Sequence, residues 1–547
     1  MLCDNVRVVW GSDPSKTTAQ RLAALETRLI WSPWRRQTMR ILRALMATVD
    51  TARLEALRAK YAGPIATAHP DSPYKYLDAA FYVLQKLQLA RQLGLDKGPP
   101  RRVLDIGTAG GHFPFVCRFF GHQVVAIDVD NPLYESIAAC LGIQRTILRV
   151  EPDKPLPALG ERFDLIVACN ITFNEKDQAT PRAYWSLAEW QYFLDDIVGN
   201  HLRSPGTLYV KLNKEFGSKL PGIRGLAYNR DLLQMAAHKG AAVNYRRGTF
   251  ELSSPDRGAS PEARARSSPR ADERMRVLAL GSCRIHEPLG AAHELGSIAY
   301  QNRRFGRRRP VYIHDVYEAI QFVRLVRGEI VMPKEIRPFA YEGGLRRDRG
   351  MTLALDQAEY VVVEACTDKH YEASGWTLNV NELYRQLVDG AGEAGQEWWK
   401  AIDAGRSPSE DLVRRVEAQL RTRWRGRWHF GEGHRRVLRE LAFRYLSTAE
   451  IAQGLEILHA LLARPVLVMP HIIVRLPDGT LLPERLQHVA KTSEAAVRVG
   501  LPTLDPRTFI DRHTQSRVLA GEGTDFNHYD SDYRLVVGCE IVRALRQ

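Results

Sequence analysis

Cysteine is scarce and ungrouped. The seven residues (3, 117, 140, 169, 283, 366 and 539) form no Cys-x-x-Cys pair, which argues against a disulfide framework or a structural zinc site and for reduced thiols. No apolar run approaches the ~20 residues needed to cross a bilayer. The opening segment, MLCDNVRVVWGSDPSK, has no basic start leading into an apolar core and does not read as a secretory signal. These absences predict a soluble, cytoplasmic protein with no metal site and no membrane insertion. Acidic residues are outnumbered, 63 Asp+Glu against 77 Lys+Arg, a formal charge of +14. The excess is mostly arginine spread along the chain, and without local clustering it argues against a track for nucleic acid.

Hydrophobic residues at 45% and charged residues at 26% of 547 exclude a fibrous or largely disordered chain, and at roughly 150 residues per domain allow two to four folding units. Ser, Pro, Ala, Arg and Gly dominate Leu252–Glu273 (LSSPDRGASPEARARSSPRADE). Such a stretch buries too little apolar surface to offset its ordering entropy and is predicted to be a disordered, flexible linker over 253–273. In the first half, residues 1–95 read as a helical extension, with helical apolar spacing over Ala19–Ala62 and Tyr74–Leu95. Over 96–252, apolar strands (102–106, 123–127, 146–150, 163–169 and 207–212) alternate with helices. In 274–547 the apolar strands Arg276–Leu280, Tyr360–Glu364 and Val466–Met469 recur around a mostly helical insertion, 382–462, and a terminal helix spans Tyr533–Arg546. The expected class is α/β, with two doubly wound parallel-sheet domains.

Two turns carry the chemistry. In VLDIGTAGGHFPF (Val103–Phe115) a small-residue turn follows a buried strand, where backbone can approach a ligand closely. Asp128, at the end of the next strand, QVVAID, is placed to accept hydrogen bonds from two ribose hydroxyls; Asp130 is an alternative. Asp105-Ile-Gly107-Thr-Ala109-Gly110-Gly111 resembles the first motif, acidic-x-Gly-x-Gly-x-Gly, of the class I S-adenosylmethionine-dependent methyltransferases, with Ala109 at the middle glycine. The likeness spans about Leu95–Leu252. It implies a Rossmann-like domain in which the turn holds the methionine part of S-adenosylmethionine and Asp128 its ribose, with Asn170 of FDLIVACN beside the acceptor. Glu151 and Asp153 are candidates for the adenine amino group. A dinucleotide site is the competing reading, but the G-x-G-x-x-G order is absent. His112, Asn170, Asn213 and Glu175 stand on loops where an acceptor would be aligned or deprotonated. The DPPY-type tetrapeptide of many nucleobase amino-methylating enzymes is replaced by ACNI.

In MRVLALGSCRIHEPL, Gly281-Ser282-Cys283 sits between a buried strand and a helix, whose N–H groups are expected to lower the thiol pKa and hold an oxyanion. Near the far end, Asp525-x-x-His528 can bring both side chains to one loop face, with His528 as general base and Asp525 fixing its tautomer. Together these resemble the SGNH (GDSL-like) hydrolase superfamily, closest to its cysteine-bearing GSCFA-type and WcbI-like branches. The likeness implies a flavodoxin-like sheet, Cys283 at the nucleophile position with Ser282 before it, and acyl hydrolysis or transfer. The family's Gly-x-Asn-Asp block reads Ala365-Cys366-Thr367-Asp368 here, so an oxyanion donor is missing or Thr367 replaces it. His471 marks a further strand end, as a substrate contact or a buried structural histidine.

A methyltransferase fused to an acyl-modifying domain implies a hydroxylated acceptor, a bacterial glycan or glycoconjugate. A second reading is an RNA- or DNA-modifying methyltransferase with a basic platform, since RRFGRRR (Arg303–Arg309) and Arg421–Arg436 interleave arginine with aromatics. A third is tailoring of a small metabolite.

Overall fold

The computed structural model describes residues 16–28, 35–67, 72–170, 173–174, 184–213, 227–254, 274–305, 310–341, 345, 348–423, 430–476 and 478–547. The chain divides into two compact units, Met1–Glu273 and Arg274–Gln547. Residues 255–273 of the expected linker, Glu175, and parts of the two arginine-rich stretches lie outside the described residues.

Among the described residues the first unit holds seven strands: β1 (Arg102–Ile106), β2 (Gln123–Asp128), β3 (Thr146–Ile147), β4 (Phe163–Cys169), β5 (Leu202–Lys211), β6 (Ala242–Asn244) and β7 (Thr249–Ser253). Their order is β3-β2-β1-β4-β5-β7-β6. The first five run parallel, and β7 pairs antiparallel with both β5 and β6. Leu104, Ile106, Ile166, Ala168, Leu208 and Val210 are buried along the central strands, as a sheet covered on both faces requires. The third strand is shorter than its apolar pattern predicts: only Thr146 and Ile147 pair with β2. The β6–β7 hairpin carries little apolar pattern in the sequence, because β6 is three residues long and largely exposed.

The second unit is built on β8 (Arg276–Leu280), β9 (Ala299–Tyr300), β10 (Tyr360–Ala365) and β14 (Val466–Pro470), parallel in the order β14-β10-β8-β9. A parallel bridge from Val468 to Thr503 begins a further strand position. This is the flavodoxin-like order, with its reversal between β8 and β10. A small antiparallel sheet joins β11 (Lys369–Ala373), β12 (Trp376–Thr377) and β13 (Ala442–Tyr445). The stretch 382–462 is therefore not purely helical, since β13 lies within it. Nor is it a detached cap: Trp398, Val416, Val437 and Leu455 share one hydrophobic core with Leu280, Val361 and Val468.

One buried polar pair stands within this core. Asp315 caps the helix Val316–Arg327, one carboxylate oxygen accepting from the N–H groups of Tyr317 and Glu318 at 2.8 and 2.9 Å. Its other oxygen lies 3.1 Å from Nδ1 of His370, which is 3% exposed. Burial lowers the His370 pKa, but the Asp315 carboxylate outweighs it and the net direction is upward. A histidine raised in the folded state adds stability that is complete below its unfolded pKa and fades as pH rises through the folded one. His370→Gln is therefore expected to lower the urea midpoint more at about pH 5.5 than at about pH 9. An equal loss at both would refute the charged pair.

Candidate functional site

Strand order reverses between β1 and β4, and the loop after β1 opens on that point. Gly107 has φ +75° and Gly111, which precedes the helix His112–Phe119, has φ +79°. Ala109 also lies in the left-handed region, at φ +49°, a conformation that costs a non-glycine residue about 1 kcal/mol or more. The strain is held by Asp128: its Oδ2 accepts the Ala109 N–H at 2.6 Å, while Oδ1 accepts from Val129 at 2.7 Å. The sequence placed Asp128 opposite the turn, and the structure ties the two together. Each carboxylate oxygen retains a further lone pair for a ligand hydroxyl. Asp105 is buried beneath the turn, and burial pushes its pKa up to about 6.

The helical extension contributes to this site, which its sequence did not announce. Tyr76 and Tyr82 pack on His112 with ring centroids 6.1 and 5.6 Å away, and Tyr134 meets Tyr76 edge-on at 5.5 Å. His112 is 2% exposed, and burial drives its pKa down to about 3. It is thus a neutral packing residue behind the turn and not a proton acceptor on the acceptor side. Asn170 follows β4 with φ +53°, its N–H donating to the Lys211 carbonyl at 2.8 Å, and is exposed. Asn213 is exposed after β5. Of the adenine candidates, Glu151 is ion-paired with Lys154 and Asp153 is exposed. Asp130 is exposed as well.

In the second unit the turn after β8 is organised by a residue the sequence analysis missed. Glu364, 2% exposed near the end of β10, accepts the Ser282 N–H at 2.8 Å and its hydroxyl at 2.6 Å through Oε2. Its Oε1 accepts from Nε of buried Arg284 at 2.6 Å. Gly281 permits this approach, because a Cβ there would stand 2.6 Å from the Glu364 Cβ. A charge closing an apolar strand, YVVVE, was the available signal. Ser282 is thereby committed: its hydroxyl also accepts from the Arg284 N–H at 3.3 Å. Cys283 begins the helix Cys283–Leu295 and is only partly buried.

The Asp525–His528 loop folds against this turn. Cys283 Sγ lies 4.0 Å from the Asn527 carbonyl, one residue from His528. His528 Nδ1 stands 2.9 Å from Asp525 Oδ2, the expected orienting contact. The Asn527 N–H, with His528, lowers the Asp525 pKa and keeps its carboxylate charged. The thiol itself contacts the Asn527 carbonyl, not the imidazole. Its pKa is raised, contrary to expectation: burial, aided by Glu364 and Glu287, outweighs Arg284. Thr367 does not supply a backbone donor, because the N–H groups of Cys366 and Thr367 both go to the His314 carbonyl. Arg485 braces the loop, with Nη1 2.7 Å from the Phe526 carbonyl and Nη2 2.9 Å from Asn527 Oδ1. No group of His, Cys, Asp and Glu suited to a metal ion occurs among the described residues, and none of their helices is long and apolar enough to cross a membrane.

Residues 275–544 match the protein family described as the TviD N-terminal domain. Over 259 residues the chain is 24% identical to the Vi polysaccharide biosynthesis protein TviD of Salmonella typhi, covering 46% of this chain and 29% of that one. The chain thus spans well under half the length of this relative. Similar solved structures include a ribosomal protein L11 methylase from Lactobacillus delbrueckii subsp. bulgaricus, 16% identical, covering 32% of this chain and 77% of that one at a TM-score of 0.20. A glycopeptide N-methyltransferase, MtfA, with S-adenosyl-L-homocysteine is 16% identical over 31% of this chain and 90% of that one, at a TM-score of 0.22.

Two substitutions probe the turns. Glu364→Gln leaves buried Arg284 without its counter-charge and is expected to destabilise the second unit by about 3 kcal/mol, read as a lowered urea midpoint. Ala109→Gly relieves the left-handed strain, and a gain below about 1 kcal/mol is expected by the same measurement. A loss would place the strain elsewhere.

Proposed function

We propose that the first unit is an S-adenosylmethionine-dependent methyltransferase and the second a cysteine-dependent acyl transferase or hydrolase, acting on hydroxyl groups of a bacterial glycan. The observation that carries the first part is the turn Gly107–Gly111 bonded to Asp128 at the reversal point of a parallel sheet. The residues fit the cofactor. A Cβ built on Gly107 would meet no atom within 4 Å, so backbone faces the ligand there, and Asp128 has acceptor capacity for the ribose. When bound, the cofactor supplies a methyl group already activated on positive sulfur. The chain's part is alignment: the turn and Asp128 fix the donor, and Asn170 and Asn213 border the acceptor side.

In the second unit the arrangement supports an acyl step begun from a neutral thiol. Cys283 Sγ attacks the acyl carbonyl while His528 Nε2 takes the thiol proton, Nδ1 being held by Asp525. The Cys283 N–H, without an intrahelical acceptor in the first turn, faces the developing oxyanion. The alcohol departs with the proton from His528, leaving a thioester. Water or an acceptor hydroxyl then attacks the thioester carbonyl as its proton passes to His528, the C–S bond breaks, and the departing Cys283 sulfur takes that proton from His528. The glycan assignment draws support from the similarity of this half to a polysaccharide biosynthesis protein.

Calorimetry with S-adenosylmethionine is expected to show binding to the wild type and none to Asp128→Ala. The absence of heat from both this nucleoside and its demethylated product would overturn the first part. With an activated acetyl ester, Cys283→Ala and His528→Ala are each expected to lose at least about a hundredfold in kcat/KM. Full activity in Cys283→Ala would end the thioester reading.

A further inference from the structure

Three cationic side chains converge on the carboxyl ends of β8 and β10, and two of them are matched by buried carboxylates. Arg284 is bound to Glu364, and Lys491 Nζ lies 2.7 Å from Asp368 Oδ2. The third, Arg485, differs. It sits on the helix Pro483–Arg498, the same face of which brings His488 Nε2 to 2.8 Å from the Ala365 carbonyl at the end of β10. Arg485 is half-buried, and its contacts are neutral oxygens, the Phe526 carbonyl and Asn527 Oδ1. Among the described residues, no carboxylate stands within ion-pair distance of it. Burial and then the Arg284 charge lower its pKa to about 10, so it remains charged at neutral pH. Removing a cation from water without a counter-charge is unfavourable, and an anion is what this position lacks.

The placement is close to the reacting atom. Asn527 is touched on its side chain by Arg485 and on its carbonyl by Cys283 Sγ, so guanidinium and thiol flank one residue. The guanidinium carries more N–H donors than its two loop contacts use, in a planar fork that suits a carboxylate or phosphate. Beside it, His471 follows β14 and is 8% exposed, its Nδ1 2.9 Å from the Ile472 carbonyl. Burial, then Arg284 and Arg485, hold its pKa well below the usual value. In the neutral tautomer that donates from Nδ1 to the Ile472 carbonyl, Nε2 is the acceptor nitrogen.

We infer that Arg485 and His471 form an acceptor subsite beside Cys283, in which Arg485 takes an anionic substituent, carboxylate or phosphate monoester, of a hydroxylated substrate. This rests on the reading of the Cys283 cleft as the acyl-transfer site and adds that the sugar acted on is negatively charged.

Saturation-transfer NMR on the full chain with glucuronate, glucose 6-phosphate and glucose tests it, and the first two distinguish the two anions. The wild type is expected to bind at least one of the anionic sugars at least about tenfold more tightly than glucose. Arg485→Gln should lose that preference while still binding glucose as the wild type does, and Arg485→Lys should recover part of it, which a purely structural brace of the loop would not produce. Cys283→Ala should keep the preference in full. If the wild type binds no anionic sugar better than glucose, or Arg485→Gln keeps the preference, the inference is overturned. If the preference follows Arg485 yet no acyl chemistry depends on Cys283, the subsite stands and the acyl-transfer reading falls.

Discussion

When the order of a parallel sheet reverses, the connections on either side of the reversal leave for opposite faces, and a crevice opens at the carboxyl ends of the two strands between them. Both units are governed by this constraint. In the first the reversal lies between β1 and β4, in the second between β8 and β10. Each crevice is floored by a turn of small residues, so that backbone is what a ligand meets, and each turn is held by an acid on the neighbouring strand. Asp128 grips the Ala109 N–H, and Glu364 grips the N–H and hydroxyl of Ser282. The same device holds both turns.

The two acids differ in what they leave free. Asp128 is partly exposed and retains lone pairs toward the crevice, as a ribose contact requires. Glu364 is enclosed and occupied on both oxygens by Ser282 and Arg284, so its role is architectural. It occupies the serine hydroxyl, while the Cys283 thiol beside it is only partly buried. Burial holds the Cys283 thiol above its ordinary pKa, so on the proposed reading the paired Asp525 and His528 would take its proton during attack.

The two crevices are also closed differently. Tyr76 and Tyr82 of the helical extension pack over His112 behind the glycine turn. The Cys283 crevice is bordered by a loop clamped from the helix Pro483–Arg498. The extension and that helix are thus parts of their sites and not appendages to the sheets.

Much of this was legible in the residues. The apolar strands at 102–106, 123–127, 163–169, 276–280 and 360–364 announce themselves because a strand buried on both faces must be continuously apolar, and small-residue turns after 102–106 and 276–280 mark the reversal points. Asp128, Cys283 and the Asp525–His528 pair could be named as candidates because their spacing is local in sequence. What only the tertiary structure decided depends on partners far apart in the chain: the hold of Glu364 on Ser282, 82 positions away, the commitment of the Cys366 and Thr367 N–H groups to His314, the burial that makes His112 inert, and the direction of the Cys283 pKa. Burial and long-range pairing set the strength of a charge or hydrogen bond through the local dielectric and the available partners, and neither is encoded in the spacing of residues along a strand or helix.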